Sequence, residues 1–402
     1  MRLHRNLVFA VIDGLNEIFN EGAYADKVVQ KLLKRDKRWG SRDRSFVAET
    51  VYEIVRWKRL YAEIADVKDP FSRENLWRIF AVWATLRGIT LPDWKQIAPT
   101  PTRRIKGRFD ELSQIRKYRE SIPDWIDELG EKELGKKWEK EIRALNQQAP
   151  VILRANSLKT TKEKLRSILE DENIDTEFVK GYPTALQLTE RANVFSTEAF
   201  KNGLFEVQDA SSQLVAEFLD IQPGQRIIDT CAGAGGKTLH LAALSENKGQ
   251  IIAMDIYSNK LKELKRRAKR AGAHNIETRI IENSKSIKKL YGKADRVLID
   301  APCSGLGVLS RNPDAKWKLQ PEFLTQIKET QSQILENYSK MVKPGGKLVY
   351  ATCSILPSEN QDQVNTFLTK ESGKEFTFVQ DKKILCSTSG YDGFYMALLE
   401  RH

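Results

Sequence analysis

The chain has 402 residues, with 66 Lys and Arg against 54 Asp and Glu and a formal net charge of +12. A chain of this length has room for two or three domains, which excludes a single small module. Four cysteines, a polar and basic beginning, and no apolar run long enough to cross a bilayer exclude a disulfide-rich scaffold and a membrane-spanning protein, so we expect a cytoplasmic protein. The positive charge favours a polyanion such as nucleic acid as partner, although a solvated basic surface without a specific partner has the same composition.

Residues 1 to about 90 carry apolar side chains at helical spacing, without strand-like alternation. The pattern comprises Leu7, Val11, Leu15 and Ile18 and, after a helix start signal at 41–44, Phe46, Val47, Thr50, Val51, Ile54 and Val55. Basic side chains gather at 34–38 and at Arg56, Lys58 and Arg59, beside Trp39 and Trp57. This combination would suit a surface that contacts RNA phosphates and stacks on bases, but the tryptophans fit a core equally well.

The predicted secondary structure changes twice in the middle of the chain. Pro92, Pro99 and Pro101 interrupt the helical pattern, and the basic stretch 103–108 follows as either a domain boundary or an exposed linker. A helical stretch from about 120 to 150 leads into a small α+β subdomain. Its predicted elements are a strand at 151–154, a helix at 162–170 and a strand at 185–188. Arg154 and Asn156 are candidates for RNA contact, with purely structural roles the equal alternative.

The residues from about 206 onwards alternate strands and helices in the order of a doubly wound α/β sheet. The predicted strands are 226–229, 251–255, 278–281, one ending at Asp300, one ending at Tyr350, and a last pair at 375–379 and 394–399. We expect the last pair to be antiparallel at one edge of the sheet.

A glycine-rich turn, 230–236, follows the first of these strands. Such a turn lets a ligand approach the backbone closely, and Asp255 at the end of the second strand can accept two hydroxyl hydrogens from a ribose. Together with Asp229, this spacing indicates a nucleoside site, whereas an ordinary tight turn is the alternative. The turn lacks the glycine spacing of dinucleotide and phosphate-binding loops, which disfavours a nucleotide triphosphate, although Gly236-Lys237-Thr238 imitates the end of a phosphate-binding loop.

Two of the cysteines, Cys303 and Cys353, come just after two predicted strands. Parallel strands end at one edge of a sheet, where open α/β folds place their ligands, so both thiols should lie at that edge. A single such cysteine is usually a small buried hydrophobe. Two at strand ends, one within Asp300-Ala301-Pro302-Cys303, favour a chemical role. No two of the four cysteines have the spacing of a metal knuckle, so no metal is predicted.

These motifs resemble those of the RNA cytosine-5 methyltransferases of the Sun/Nol1/Nop2 type. The matching stretches are Gln208-Asp209-Ala210-Ser211-Ser212, 229–238, Asp300-Ala301-Pro302-Cys303-Ser304-Gly305, Ala351-Thr352-Cys353-Ser354, Glu359-Asn360 and Asp392-Gly393-Phe394. The resemblance covers about residues 150–402. The helical beginning, through 43–47 and Val55-Arg56, is similar to the NusB-like RNA-binding domain of the bacterial member that modifies small-subunit ribosomal RNA.

The resemblance implies S-adenosylmethionine as cofactor. The residues implied to hold it are Cys231, Ala232, Gly233, Ala234, Gly235, Gly236, Lys237, Asp255 and Asp300. Ala234 stands where many relatives have proline, which should leave the turn less rigid. Asn283 lies where the family commonly carries an aspartate near the adenine, and we keep it as a candidate because its side chain can still hydrogen-bond an adenine amino group.

The resemblance also implies the catalytic groups. Cys353 would be the nucleophile, which agrees with the chemistry because C5 of cytosine accepts a methyl group only after a thiolate adds at C6. Cys303 would help to eliminate the enzyme from the methylated base. Asp300 is the carboxyl group that we expect to protonate or hydrogen-bond N3. The target base must be extruded or single-stranded.

We therefore predict a helical NusB-like RNA-binding domain at 1–120, linker helices with a small α+β RNA-binding subdomain at 121–205, and a Rossmann-like catalytic domain at 206–402. The predicted activity forms 5-methylcytosine in RNA, with 16S ribosomal RNA preferred and transfer RNA the alternative. A catalytically silent RNA-binding ribosome assembly factor is the alternative of another class, and the two cysteines with Asp300 argue against it. We expect a monomer with no membrane or metal partner.

Overall fold

The computed structural model describes residues 3–97 and 100–402, so Pro99 lies outside the described residues. The helices are α1 (Arg5–Phe19), α2 (Ala25–Leu32), α3 (Ser41–Arg56), α4 (Lys58–Ala65), α5 (Arg73–Leu86), α6 (Thr102–Leu112), α7 (Arg116–Arg119), α8 (Asp124–Leu134), α9 (Trp138–Leu145), α10 (Lys162–Asp171), α11 (Glu198–Lys201), α12 (Ala210–Glu217), α13 (Gly236–Leu244), α14 (Ser258–Ala271), α15 (Ser284–Lys288), α16 (Ala315–Lys318), α17 (Pro321–Tyr338), α18 (Gln361–Thr369) and α19 (Cys386–Ser389). The strands are β1 (Ile152–Ala155), β2 (Thr176–Phe178), β3 (Ala185–Leu188), β4 (Phe205–Val207), β5 (Arg226–Asp229), β6 (Gln250–Asp255), β7 (Ile276–Ile280), β8 (Ala294–Asp300), β9 (Val342–Thr352), β10 (Phe376–Ile384) and β11 (Phe394–Arg401). None of the helices in these described ranges is both long enough and apolar enough to cross a membrane.

The chain divides into two compact units, and the first is helical. It contains α1 to α9 and, from far along the sequence, the segment Leu309–Gln320. The helix interiors follow the predicted apolar pattern, since Leu7, Val11 and Leu15 of α1 are buried in its core. The unit continues to Gln147, beyond the boundary that we predicted at residue 120.

Several basic residues that we expected on an RNA-facing surface form hydrogen bonds or ion pairs within this helical unit. Arg56 is buried and donates to the carbonyl of Ser310 at 2.9 Å. The ammonium group of Lys58 lies 2.8 Å from Asp69 and only 13% of its side chain is exposed. Arg59 donates to the Ile122 carbonyl at 2.6 Å. The interpretation of Arg56 as a phosphate contact was therefore wrong, whereas phosphate contacts by the partly exposed Lys58 and Arg59 stay a prediction.

The tryptophan and the remaining charges of that cluster divide between core and surface. Trp39 is buried in the helical core, as the alternative interpretation allowed. Arg35 and Arg38 form ion pairs with Asp13 and Asp36, whereas Lys34 and Lys37 are exposed. RNA binding by the helical unit stays a prediction.

The second unit begins with a small antiparallel sheet of order β2-β3-β1-β4. Helix α10 packs against it, and Leu153, Leu165 and Leu186 are buried between them. The predicted α+β subdomain is thus present. Arg154 and Asn156 do not face solvent: Arg154 donates to the carbonyl of Gly236 at 2.6 Å, and Asn156 donates to the carbonyls of Gly203 and Ala271 at 2.8 Å. Their structural interpretation is the correct one.

The rest of the second unit is a seven-stranded mixed sheet of order β10-β11-β9-β8-β5-β6-β7. The five neighbouring strands β9, β8, β5, β6 and β7 are parallel to one another. Strand β11 is antiparallel to both of its neighbours, β9 and β10, and its pairing with β10 is as predicted for the last two strands. The apolar runs of β5, β6, β8 and β9 are buried, as expected for parallel strands covered on both faces, whereas the residues of the edge strand β7 are partly or fully exposed. This confirms the Rossmann-like fold.

The strand order reverses at β5, which lies between β6 and β8. In open α/β sheets, ligands bind at such a switch point, outside the carboxyl ends of the strands. Asp229, Asp255 and Asp300 are the last residues of β5, β6 and β8, and Cys353 directly follows β9. The sheet topology therefore brings together the residues that the motifs singled out.

Candidate active site

Cys303 and Cys353 lie side by side at the carboxyl edge of the large sheet. Strands β8 and β9 are parallel with Asp300 opposite Ala351, which sets the two loops that follow them next to each other. The two sulfur atoms are 3.2 Å apart, and both residues are partly exposed. The hydrogen bond to Cys353, together with burial, raises the pKa of the Cys303 thiol well above its ordinary value. Cys303 therefore keeps its proton at neutral pH, and either sulfur can be the donor in the hydrogen bond between them.

A buried carboxylate, Glu359, holds both cysteine loops. It accepts hydrogen bonds from the backbone nitrogen of Ser304 at 2.8 Å and from the hydroxyls of Ser304 and Ser354, each at 2.5 Å. Ser304 follows Cys303 and Ser354 follows Cys353 in the chain. Gln331 of α17 donates to the same carboxylate at 3.0 Å. The Glu359 side chain thus fixes the spacing of the two thiols without touching either sulfur.

Asn360, the next residue, completes this network. Its side-chain oxygen accepts from the Thr352 hydroxyl at 2.5 Å, and its amide donates to the Ser354 carbonyl at 2.9 Å. Both contacts lie immediately before and after Cys353, so the backbone that carries this cysteine is held on each side. The sequence marked Glu359 and Asn360 only as a motif and gave no role to either.

Asp300 forms an ion pair with Lys237, whose ammonium lies 2.6 Å from the carboxylate. Burial would lower the pKa of Lys237, but the charge of Asp300 and the hydrogen bond to it raise this pKa above its ordinary value. The ammonium also lies 5.2 Å from the ring centroid of Phe394. Lys237 is therefore a fixed cation beside Asp300. The sequence placed Lys237 at the glycine-rich turn but did not predict this ion pair.

The glycine-rich turn connects β5 to α13 and is tied to β6. The amide of Gly233 donates to Asp255 at 2.8 Å, and the amide of Ala232 donates to the Met254 carbonyl at 2.9 Å. Gly233 and Gly235 have positive φ angles of 53° and 88°. A Cβ at Gly235 would lie 2.6 Å from Leu264, so only glycine fits there, whereas a Cβ at Gly233 would enter open space.

Comparison with known proteins identifies the family. A family model described as 16S rRNA methyltransferase RsmB/F matches residues 216–400, and one for the ferredoxin-like domain of RsmF/B-like methyltransferases matches 122–195. The chain is 38% identical to "Probable ribosomal RNA small subunit methyltransferase B" of Synechocystis over 90% of this chain and 88% of that protein. The chain belongs to the ribosomal RNA small subunit methyltransferase B family. This confirms the family resemblance and assigns an S-adenosylmethionine-dependent methyltransferase.

Other relatives agree with this family. Ribosomal RNA small subunit methyltransferase B of Vibrio vulnificus is 32% identical over 69% of this chain and 66% of that protein. The crystal structure of PH0851 superposes with a TM-score of 0.86 and 25% identity over all of both chains. NSun6 from Pyrococcus horikoshii, solved with SFG, has a TM-score of 0.65 at 21% identity over 71% of this chain and 99% of that one, which shows a shared fold.

The residues of the methyltransferase site fit S-adenosylmethionine. The open space at Gly233 leaves room for a ligand against the backbone of the turn. Asp255 accepts one backbone amide on each carboxylate oxygen, from Gly233 and Tyr257, and each oxygen keeps a second lone pair for a ribose hydroxyl. Ile256 and Tyr257 follow Asp255 and are 59% and 60% exposed, so an apolar surface that could receive the adenine adjoins the carboxylate. Sequence reasoning missed these two residues, although large apolar residues directly after an acidic strand end are a detectable signal.

Three further candidates of the turn and its surroundings have defined positions. Burial raises the pKa of the Cys231 thiol, so this residue can serve the cofactor through its backbone but not as a thiolate. The carbonyl of Ala234 accepts a hydrogen bond from Arg267 at 2.8 Å, which restrains the turn that lacks proline. Asn283 is exposed and its side chain accepts from the Lys285 amide at 2.9 Å, capping α15. An adenine contact by Asn283 stays a prediction.

Asp229 is a buried carboxyl group behind the turn. The Thr238 hydroxyl donates to it at 2.7 Å. Burial raises the pKa of Asp229 to about 7.

Over residues 3–97 and 100–402, no group of three or more His, Cys, Asp or Glu is arranged to hold a metal ion.

Proposed function

We propose that this methyltransferase forms 5-methylcytosine in 16S ribosomal RNA through a covalent bond between Cys353 and C6 of the cytosine. The single observation that carries the proposal is the 3.2 Å approach of the Cys303 and Cys353 sulfurs at the sheet edge that also holds the glycine-rich turn and Asp300. Two thiols side by side at one edge can supply a nucleophile and a proton carrier. The ribosomal substrate rests on the names of the relatives and on the charge of +12.

The first step is the addition of the Cys353 thiolate to C6. A C6–S bond forms, and the electron pair of the C5–C6 double bond moves to C5 and, through C4, to N3 and O2. The Lys237–Asp300 pair offers an ammonium donor for the N3 and O2 side of the ring and a carboxylate acceptor for the exocyclic amino group. Lys237 donates to Asp300 in this pair, so we propose Lys237 as the donor to N3, a role that the sequence analysis gave to Asp300.

S-adenosylmethionine, when bound, supplies the methyl group that C5 receives. After that transfer C5 carries both a hydrogen and the methyl group, and the enzyme must be released. Once the Cys353 sulfur is bonded to C6, it no longer offers the hydrogen bond and the negative charge that raise the pKa of the Cys303 thiol, so Cys303 can lose its proton to water. The Cys303 thiolate then takes the C5 hydrogen as a proton. The C5–H electron pair restores the C5–C6 double bond, and the C6–S pair returns to Cys353. One proton is released to solvent in each turnover, and both cysteines regain their starting state.

A methylation assay tests the proposal. The purified chain is incubated with S-adenosylmethionine and either 16S ribosomal RNA or transfer RNA from a strain that lacks the enzyme, and bisulfite sequencing locates 5-methylcytosine. We expect a new 5-methylcytosine in 16S ribosomal RNA and none with the Cys353→Ala control. Modification of transfer RNA alone would establish the alternative substrate. The absence of 5-methylcytosine from both would refute the activity and favour a silent assembly factor.

A further inference from the structure

The small subdomain of the second unit has a surface hollow that the methylation chemistry does not use. Its volume is about 530 Å³, and it is lined by Lys162 at the start of α10 and by residues 178–183, which comprise the end of β2 and the turn after it. Binding pockets for small organic ligands usually have between about 300 and 1,000 Å³, so the hollow has room for a nucleotide.

The main apolar group of the hollow is Phe178, which is 44% exposed. It ends β2, the edge strand of the small sheet, which pairs with β3 on one side. The Lys162 ammonium and the Arg166 guanidinium, one helical turn apart on α10, lie 5.3 and 5.1 Å from its ring centroid. An aromatic ring held by cations and still open to solvent is a stacking surface rather than part of a core.

The charge of Lys162 interacts with that of Glu163, its neighbour in the chain, but no ion pair involves the cations of the hollow among the described residues. Within the described part of the chain, Lys162, Arg166 and Lys180 take part in no ion pair, and Lys180 lies on the rim of the hollow. Two other basic residues of the subdomain have partners, since Lys201 pairs with Glu198 at 2.6 Å and Lys159 donates to two carbonyls. The hollow therefore concentrates three cations, of which Lys162 has Glu163 as an acidic neighbour.

The acidic residue beside Phe178 does not oppose this charge. Glu177 and Phe178 are consecutive in β2, so their side chains project to opposite faces of the strand. Glu177 accepts a hydrogen bond from the Gln187 side chain at 3.1 Å on the neighbouring strand. The face that carries Phe178 thus combines an exposed ring with cations, which selects an anionic ligand that has flat apolar parts.

We propose that this hollow, Phe178 with Lys162, Arg166 and Lys180, binds single-stranded RNA, with one base on the Phe178 ring and the neighbouring phosphates on the three cations. Single-stranded nucleic acid matches both features, because every base has a face to stack and every linkage carries a negative charge. A duplex keeps its bases stacked and cannot use the ring. The inference rests on the proposed function, in that the substrate is RNA, and it places an RNA contact in the subdomain where Arg154 and Asn156 were expected to provide one.

Fluorescence anisotropy with the full chain and a labelled single-stranded oligoribonucleotide tests this site. Phe178→Ala should weaken binding on the order of tenfold, the size of a lost base–aromatic stack. Replacing Lys162, Arg166 and Lys180 together by Gln should weaken binding and reduce the slope of log affinity against log salt by about 2, as expected for three released counterions on a single strand. In a methylation assay, Phe178→Ala should raise the KM for RNA and leave kcat unchanged.

Two matched variants serve as controls. Phe195 is 58% exposed in the same subdomain, but its ring contact is Phe200, so Phe195→Ala should bind RNA like the original chain. Lys201→Gln removes a cation that already has an acidic partner and should leave the salt slope unchanged. Thermal unfolding of all variants checks that the fold is retained, which is expected because the replaced side chains are at the surface.

Several results would overturn the inference. One is equal RNA affinity of Phe178→Ala and Phe195→Ala, and another is competition by a duplex of the same length as strong as by the single strand. A third is Phe178-dependent binding to vesicles of phosphatidylglycerol and phosphatidylcholine while RNA binding is unaffected, which would assign the hollow to a membrane surface. If the original chain methylates RNA but Phe178→Ala binds normally, only this site is refuted. If the original chain methylates no RNA, the proposed function fails, whatever the anisotropy shows.

Discussion

The carboxylate of Glu359 accepts two hydrogen bonds from Ser304, one from the backbone amide at 2.8 Å and one from the hydroxyl at 2.5 Å. Ser354 donates to the same carboxylate, so one buried side chain joins the two cysteine loops. These loops belong to different strands, and no other carboxylate within the described residues contacts both serines. The distance between the Cys303 and Cys353 sulfurs therefore depends on a residue that takes no part in bond making.

Glu359→Gln should reduce both stability and methylation. Gln has the same shape, but it carries no charge and places an amide group against hydroxyl and backbone donors. Loss of hydrogen bonds to a buried charged group costs about 1.5 to 3 kcal/mol each, so a decrease in unfolding free energy of at least about 2 kcal/mol is expected in urea titrations. Glu371→Gln, which changes an exposed glutamate, is the control. Equal stability and rate for both variants would show that Glu359 does not hold the loops.

Much of the carboxyl edge of the large sheet could be predicted because its strands have a clear local sequence pattern. The runs that end at Asp255 and Asp300 are continuously apolar, since parallel strands are covered on both faces. Parallel strands end at one edge, so two cysteines that follow two such strands had to lie close together. The glycine-rich turn was recognisable because positive φ angles at Gly233 and Gly235 demand glycine.

What the sequence did not reveal depends on contacts distant in the chain. Lys316 and Trp317 belong to a segment that follows the Cys303 loop, yet Lys316 donates to Asn146 at 3.1 Å and Trp317 donates to the Val55 carbonyl at 2.7 Å within the helical unit. Arg56 and Arg154 looked like surface cations because charge in a sequence does not report burial. Local pattern fixes periodicity, whereas the partner of a buried polar group is decided by the tertiary fold.

The titration of Asp229 should make the free energy of unfolding decrease as the pH rises. Its folded pKa, raised by burial to about 7, lies above the unfolded value of 3.8, so the folded state binds the proton more tightly. This contribution to stability is fully present below pH 3.8 and is lost as the pH rises through about 7. A difference of about three units corresponds to roughly 4 kcal/mol. Asp229→Asn removes the titration, so its stability relative to the original chain should increase between pH 4 and 8.

Urea titrations at several pH values, without cofactor, measure this effect. Asp171→Asn, at an exposed aspartate of the small subdomain, provides the control and should follow the original chain at every pH. Parallel stability curves for Asp229→Asn and the original chain would contradict a raised pKa at Asp229.

Asp255 should determine cofactor affinity. Asp255→Ala removes the acceptor for ribose hydroxyls and also the partner of the Gly233 and Tyr257 amides. Loss of a buried acceptor costs about 1 to 3 kcal/mol, so the Kd for S-adenosylmethionine in calorimetry should rise between about 5-fold and 150-fold. Asn283→Ala tests the adenine contact in the same assay. Unchanged affinity of Asp255→Ala would mean that Asp255 does not face the ribose.

The two cysteines should fail in different ways when each is replaced. Cys353→Ala removes the nucleophile of the first step, so neither methylation nor a covalent species is expected. Cys303→Ala leaves Cys353 able to attack and the methyl group able to transfer, but no thiolate can take the C5 proton. The enzyme and RNA should therefore remain joined and migrate together on a denaturing gel after incubation with S-adenosylmethionine.

The matched control for both variants is Cys386→Ala, which removes a buried cysteine at the start of α19 and should methylate RNA like the original chain. Treatment of the trapped Cys303→Ala complex with nuclease and protease should yield a peptide from the β9 end that carries a methylated cytosine on Cys353. A trapped complex with Cys353→Ala, and none with Cys303→Ala, would reverse the roles. In that case Cys303 would be the nucleophile, and its raised pKa would have to be lowered by the bound RNA before it could attack.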